Sequence, residues 1–212
     1  MHVLITGANR GIGRAMADHF KGQGHQVTGT ARDGSGAVKL DVTDPADHAA
    51  MARALHGQPV DLLVCNAGVY LDKGQTIEGY PAEMWAQTFA ANVTGVFLTI
   101  QALLPNLRAA HGKIAIISSQ MASHTRAPGG SYIYRASKAA ALNLGRNLAV
   151  DLKGDGIAVG IYHPGWVQTD MGGQAADITV SQAVAGLTER FEALSLDTTG
   201  CFETWDGQAH PY

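Results

Sequence analysis

Residues 2–13 read HVLITGANRGIG, and the architecture of the chain turns on how this stretch is read. The run HVLIT (2–6) is apolar and β-branched, which is the composition of a buried strand. It passes directly into a turn that carries Gly7, Gly11 and Gly13, and a helix follows. Glycines at such a turn let the backbone approach a pyrophosphate, and the helix N-terminus offers free N–H groups and a positive dipole end. The spacing is G-x-x-x-G-x-G rather than the commoner G-x-G-x-x-G, and a glycine triplet alone is a weak signal. A tight turn without a ligand would look the same. The remainder of the chain decides between the two readings.

Outward from this unit, short apolar runs alternate with longer helical stretches rich in Ala and Leu. The further strand candidates are QVTGT (26–30), AVKL (37–40), DLLVC (61–65), KIAIIS (113–118), AVGIY (158–162) and GCFET (200–204). Strand–helix–strand alternation predicts a parallel sheet covered on both faces, with right-handed crossovers. Asp44-Pro45 reads as a helix start, with Asp44 at the N-cap and Pro45 in the first helical position. Long helices are expected over 81–110 and 132–151, and another near 179–195. Only DGSGAV separates Arg32 from Lys39, too little for a crossover helix, so a turn must join those strands. There are no repeats or low-complexity segments, and 212 residues fit one domain, 1–212.

Bulk properties narrow the function. The hydrophobic fraction of 46% is that of a globular protein, and a net charge of −3 gives no basic field for nucleic acid. No unbroken apolar run reaches the length of a membrane span or forms a signal-peptide core. The two cysteines, Cys65 and Cys201, lie in strand-like runs, which fits a reducing, cytoplasmic setting better than a disulfide framework. Nine histidines lack the spacing of metal ligands, so no metal site is expected.

Four charged or phenolic positions carry chemistry. In YRASK, Tyr134 and Lys138 stand four residues apart in a helical run and share a face. A cation there favours phenolate, whose free pKa is near ~10. An exposed helix pair is the bland alternative. Arg10 sits beside a helix N-terminus, where a cation costs ~0.3–1 kcal/mol unless an anion is bound. Arg32 ends the second strand, where an acidic residue would read a ribose 2′-hydroxyl and an Arg suits a 2′-phosphate. Asp33, one residue later, weighs the other way. The pattern favours NADP(H), with NAD(H) as the alternative.

TGANRGIG, CNAG (65–68), the pair Ser118-Ser119, YRASK and PGWVQTDM (164–171) stand in one order. Together they resemble the short-chain dehydrogenase/reductase family, in its short single-domain branch. More narrowly, YRASKAALN-like and HPGWVQTDMGG stretches look like carbonyl reductases of the C-factor and sniffer type. The resemblance implies a Rossmann-type doubly wound α/β fold, about seven parallel strands in the order 3-2-1-4-5-6-7. It implies an oxidoreductase that moves hydride between nicotinamide and a carbonyl or secondary alcohol. Tyr134 takes the part of general acid/base, Lys138 tunes it and holds the nicotinamide ribose, and Ser119 holds the substrate oxygen, with Ser123 as runner-up. Asn92 matches the residue that anchors a proton-relaying water, although a purely structural Asn is the alternative. The cofactor would be held by Gly7, Asn9, Arg10, Gly11, Ile12 and Gly13 of the first loop and by Arg32. Asp41 and Val42 would lie at the adenine, unless Asp41 merely caps a turn. Asn66, Ala67 and Gly68 would lie by the adenosine ribose, and Pro164, Gly165, Val167 and Thr169 by the carboxamide and phosphates. His163 reads as structural.

The chain departs from the family in length. The helix after Arg32 is missing, which exposes the adenine edge, and GGQAADI gives a short lid over the substrate, which implies an open pocket. Trp85, Tyr132, Trp166 and Met171 are candidate walls or core. A dinucleotide-binding sensor without turnover is the competing reading. A sugar epimerase or dehydratase, which also uses YxxxK, lacks room here for its substrate domain. The expected partner is a small carbonyl or alcohol, and the long helices leave a homodimer open.

Overall fold

Alternation within the strands sorts the core into two layers. The computed structural model describes all 212 residues. Its strands are β1 (His2–Ile5), β2 (Gln26–Ala31), β3 (Val38–Lys39), β4 (Leu62–Cys65), β5 (Lys113–Ile117), β6 (Ala158–His163) and β7 (Phe202–Thr204). They form one parallel sheet in the order β3-β2-β1-β4-β5-β6-β7, as expected. Val3, Ile5, Leu62, Val64 and Ala115 turn to one face. There they meet Met16 and Phe20 of α1 (Gly11–Gly22) and Leu187 and Phe191 of α6 (Val180–Ala193). Leu4, Leu63, Ile114, Ile116 and Val159 turn to the other face. Met51 of α2 (Pro45–Ala54), Ile100, Leu103 and Leu107 of α4 (Gly95–Ala110), and Ala149 and Leu152 of α5 (Tyr132–Leu152) cover them. Each fully buried Leu or Ile contributes roughly 1.5–3 kcal/mol.

α3 (Ala82–Phe89) and α4 form one rod, joined by a π turn over Ala90–Thr94. The rod is 29 residues long, and an 18-residue window of it has a mean hydropathy of 1.3, enough by length and composition alone to cross a bilayer, as the core helix of a globular fold can be. The reason is packing, since Val96, Ile100, Leu103 and Leu107 face the sheet. Asp44 caps α2 by accepting from the Ala46 amide at 2.8 Å, with Pro45 in the first turn. Between β2 and β3 only turns and bends occur, with no helix in the connection. The strand order reverses between β1 and β4, so the crevice at their carboxyl ends is the binding position such sheets offer.

Candidate active site

The loop after β1 lines one side of that crevice. Gly7 and Gly11 adopt positive φ, 66° and 55°. Gly13 has a different reason to be glycine: a Cβ there would collide with the Gly7 carbonyl oxygen and lie 2.5 Å from Asn66 Nδ2. The first turn of α1 is thereby pressed against its own loop, with the helix N-terminus facing the crevice. Asn66 Nδ2 donates to the carbonyls of Thr6 (2.9 Å) and Gly7 (3.1 Å), and the Ala67 amide donates to Thr6 Oγ1 (3.0 Å). The loop after β4 thus braces the glycine loop. Cys65, just before it, is buried, and desolvation pushes its thiol up to about 12, so it behaves as a small apolar group.

The first two turns of α5 bring the reactive groups together. Tyr134 and Lys138 are buried, at 8% and 6% exposure. Lys138 Nζ sits 5.7 Å from the centre of the Tyr134 ring and donates to the Ile117 carbonyl at 2.9 Å. Ser119, after β5, lies near enough to the Tyr134 phenol to favour its ionised form and accepts from the Met121 amide at 3.1 Å, while the Ser118 hydroxyl turns away to the Lys138 carbonyl (3.1 Å). Ser123 is occupied elsewhere, with its hydroxyl on Thr125 Oγ1 at 2.9 Å. The helical spacing predicts a phenol that ionises more easily, but in the protein alone burial outweighs the cation beside it. Burial raises the Tyr134 pKa, the Ser119 hydroxyl opposes it, and the charges of Tyr70 and Asp72 add to the rise. Burial also brings the Lys138 ammonium down to about 8.

Asn92 lies in the π turn, a helical irregularity that recurs at functional sites. Its side chain does not bond its own helix. Oδ1 accepts from the Val69 amide (2.8 Å), and Nδ2 donates to the Val69 carbonyl (2.9 Å) and Ser137 Oγ (3.0 Å). It ties the rod to the loop after β4 and to α5. A Cβ on Gly68 would lie 3.0 Å from Asn92 Oδ1 and 3.6 Å from Lys138 Nζ, so this loop passes close against both.

The adenosine end is open and mixed in charge. Arg10 Nη1 pairs with Asp170 at 3.1 Å, both side chains largely exposed, so a carboxylate already supplies an anion beside the α1 N-terminus. Asn9 Nδ2 donates to Asp33 Oδ2 (3.2 Å), and Asp33 Oδ1 accepts from the Ser35 amide and hydroxyl. Arg32 is exposed, near enough to Asp41 to help lower its pKa. Asp41 Oδ1 caps a turn through the Thr43 hydroxyl (2.7 Å) and amide (2.9 Å), which are the main forces holding its pKa down. The Val42 carbonyl accepts from the His48 ring (3.0 Å).

Residues 164–178 fold over the crevice from β6. Pro164 and Gly165 leave the strand, and Val167 is buried and pairs with Ile178. The Thr169 hydroxyl is used within its own turn, donating to the Val167 carbonyl and accepting from the Gly172 amide (3.1 Å). Thr169 Cγ2 would lie 3.7 Å from a Cβ on Gly11, so this segment rides over the glycine loop, with Ile12 at the mouth of α1. Lys73 Nζ reaches the Met171 carbonyl at 3.4 Å across the site. Trp85, Tyr132, Trp166 and Met171 are all exposed by 36–46%, so none is core. His163 is buried, with its imidazole pKa lowered to about 4 mainly by desolvation, as a structural histidine would be.

Two residues the motifs do not mark stand against the phenol. Tyr70 stacks on Tyr134, ring centres 4.2 Å apart and 24° between planes. Asp72, fully buried, accepts from the amides of Ile133 (2.9 Å) and Tyr134 (3.3 Å). Both lie about sixty residues away in sequence, beyond any local spacing rule.

Residues 1–178 match the family model described as short chain dehydrogenase. The C-signal protein of Myxococcus xanthus is 36% identical over 156 residues, covering 73% of this chain and 93% of that protein. The NADPH-bound carbonyl reductase from chicken fatty liver superposes with a TM-score of 0.92 at 32% identity, covering 100% of this chain and 98% of that one. The carbonyl reductase Sniffer of D. melanogaster, at 24% identity, shares the fold with a TM-score of 0.92 over 100% and 99% of the chains. With its seven-stranded parallel sheet and the resemblance to C-factor and sniffer-type reductases, the chain belongs to the short-chain dehydrogenase/reductase family of oxidoreductases.

Proposed function

We propose that the protein is an NADP(H)-dependent carbonyl reductase in which Tyr134 is the general acid. The observation that carries this reading is the buried convergence of Ser119, Tyr134 and Lys138 at the carboxyl edge of the sheet, beside the glycine loop. The residues present fit a dinucleotide: glycines let the loop pack tightly on itself and on Asn66-Ala67, and the α1 N-terminus has no side-chain cap of its own, which leaves its amides for an anion. When bound, the nicotinamide supplies hydride. Arg10 and Arg32 are the cations that would hold a 2′-phosphate, and Asp33, whose oxygens are engaged by Asn9 and Ser35, is less free to accept from a ribose hydroxyl. The structural relative from chicken carries NADPH, which supports the same choice here.

Ser119 and Tyr134 present two hydroxyls to one carbonyl oxygen. Tyr134 gives its proton to that oxygen as negative charge grows there. Its raised pKa keeps it protonated at neutral pH and therefore able to donate. The phenolate left behind lies beside the Lys138 ammonium and the Ser119 hydroxyl, which both favour it. Asn92 holds the helix and loop around this group in register.

The test follows loss of NADPH absorbance with a panel of ketones, aldehydes and diketones, with NADH in parallel. Tyr134→Phe should lose about 10²-fold or more of turnover, the usual size of a general-acid contribution. Equal turnover in the variant would remove Tyr134 from the chemistry. Faster turnover with NADH would overturn the assignment of Arg10 and Arg32. NADPH binding without turnover on any carbonyl would point to the sensor reading.

A further inference from the structure

We propose that Asp72 and Tyr70 are positioning residues for Tyr134, fixing its ring and holding its proton through an anion at the head of α5. The inference rests on the reading of Tyr134 as general acid. Three observations carry it. First, α5 lacks a local cap: Ser131 at its N-cap makes no capping bond and sits in the left-handed region at φ 48°. Asp72 supplies the cap from a distant loop, bonding the amide of Tyr134 itself and of Ile133. Second, Asp72 is fully buried and its Oδ1 has no protein partner, so its charge is only partly compensated and acts on what lies nearest. Third, Tyr70 covers the face of the Tyr134 ring and anchors its own hydroxyl to Ser131 Oγ at 2.5 Å, so ring and helix start are clamped by one loop.

The ionisable groups facing the phenol are few. Tyr70 and Asp72 come from the loop after β4 and Lys138 from α5; Ser119, after β5, adds a neutral hydroxyl and the π turn adds neutral Asn92 through Ser137. Asp72 opposes Lys138 in sign. With the anion near it, the phenol keeps its proton until hydride transfer creates charge on the substrate oxygen. Removing the anion lowers the phenol pKa, so the phenolate forms at lower pH.

The experiment compares wild type, Asp72→Asn and Asp72→Ser, the last two neutral but still able to accept from the helix amides. Tyr134 is titrated directly by NMR of ¹³Cζ-tyrosine in the NADP⁺ complex, its signal assigned with Tyr134→Phe, and thermal melting is followed alongside. Both neutral variants should shift the Tyr134 titration down by about one pH unit, the lower end of what one neighbouring charge produces. The pH profile of alcohol oxidation should move by the same amount. An unmoved titration in folded variants overturns the proposal, as does loss of cooperative melting in both, which would make Asp72 a folding residue only. A shifted titration in a protein whose wild type turns over no carbonyl would keep the inference about the phenol and defeat the reductase reading instead.

Discussion

Replacing Lys138 by Met should make the cofactor-free protein more stable at neutral pH while abolishing turnover. The Lys138 ammonium is buried and has one hydrogen-bond partner, the Ile117 carbonyl at 2.9 Å. Burial lowers its pKa from 10.5 to about 8. At ~1.4 kcal/mol per pH unit, that gap amounts to roughly 3 kcal/mol against the folded state. Losing the hydrogen bond to Ile117 costs about 1 kcal/mol. The cation over the Tyr134 ring, 5.7 Å away, adds about 0.5 kcal/mol, the low end for such a contact. The net gain for Met is about 2 kcal/mol at pH 7, on the order of 4–8 °C in Tm for a chain of this size. The sign changes with pH. Below about pH 8 both states hold the proton and wild type bears the full penalty. Between about 8 and 10.5 the unfolded chain keeps the proton and the folded one loses it, so wild type gains on the variant. Above that window the Met variant should be the less stable, by about the lost hydrogen bond. Urea unfolding of both proteins across this range reads the difference directly. A difference that stays constant with pH, or a Met variant less stable at neutral pH, would refute the reasoning that buried charge dominates at Lys138.

Gly13→Ala should destabilise the fold by about 1–3 kcal/mol and weaken dinucleotide binding, because the added methyl meets the Gly7 carbonyl, which is backbone and cannot rotate away; urea melts and fluorescence titration with NADPH measure the two effects. Arg32→Ala should raise the KM for NADPH about tenfold, the loss of one charge-assisted bond, while leaving NADH nearly unchanged. Equal losses with both cofactors would free Arg32 of any part in reading the 2′ position. Asn92→Ala strips partners from the Val69 amide and carbonyl and from Ser137, and should cost about 2–4 kcal/mol in urea unfolding. An effect below about 0.5 kcal/mol, the level of an ordinary surface change, would mean Asn92 does not tie α4 to the β4 loop.

What was legible in the amino-acid sequence was local. Each strand declares itself by a short apolar run, and in β1 the alternation of Val3 and Ile5 against Leu4 even assigns faces. Asp44-Pro45 declares its helix because capping is a matter of adjacent residues. The spacing of Tyr134 and Lys138 places them together because one helix carries both. Spacing could not give the sign of the electrostatics. A cation four residues away lowers a phenol pKa only if desolvation does not outweigh it, and desolvation depends on what covers the helix. Here Tyr70 and the sheet cover it, and the phenol moves up. Nor could spacing distinguish a polar side chain offered to a ligand from one used by its neighbours. Asp41 and Thr169 both close their own turns, and Asn66 and Asn92 both bond backbone on another segment.

Asp72 is the clearest case of what lies outside local reading. In sequence it is one acid in a loop, with no helix start beside it to mark it. Yet the helix carrying the reactive phenol begins GGSYIY, where Ser131 makes no capping bond, and the free amides of Ile133 and Tyr134, both buried, must find partners somewhere. A helix with an unmet N-terminal requirement implies a distant acceptor, even when nothing in the chain says which residue it is. The long-range cap therefore places an anion within reach of Tyr134 in a setting where a local Ser or Thr cap would have placed none. A Ser131→Asp variant would test that difference. If the introduced carboxylate caps α5 from the N-cap position itself, the stability lost by Asp72→Ala, which removes the acceptor, should shrink by about 1 kcal/mol, the worth of a cap. Unchanged coupling between the two positions would mean that Asp72 does not serve as the cap of this helix.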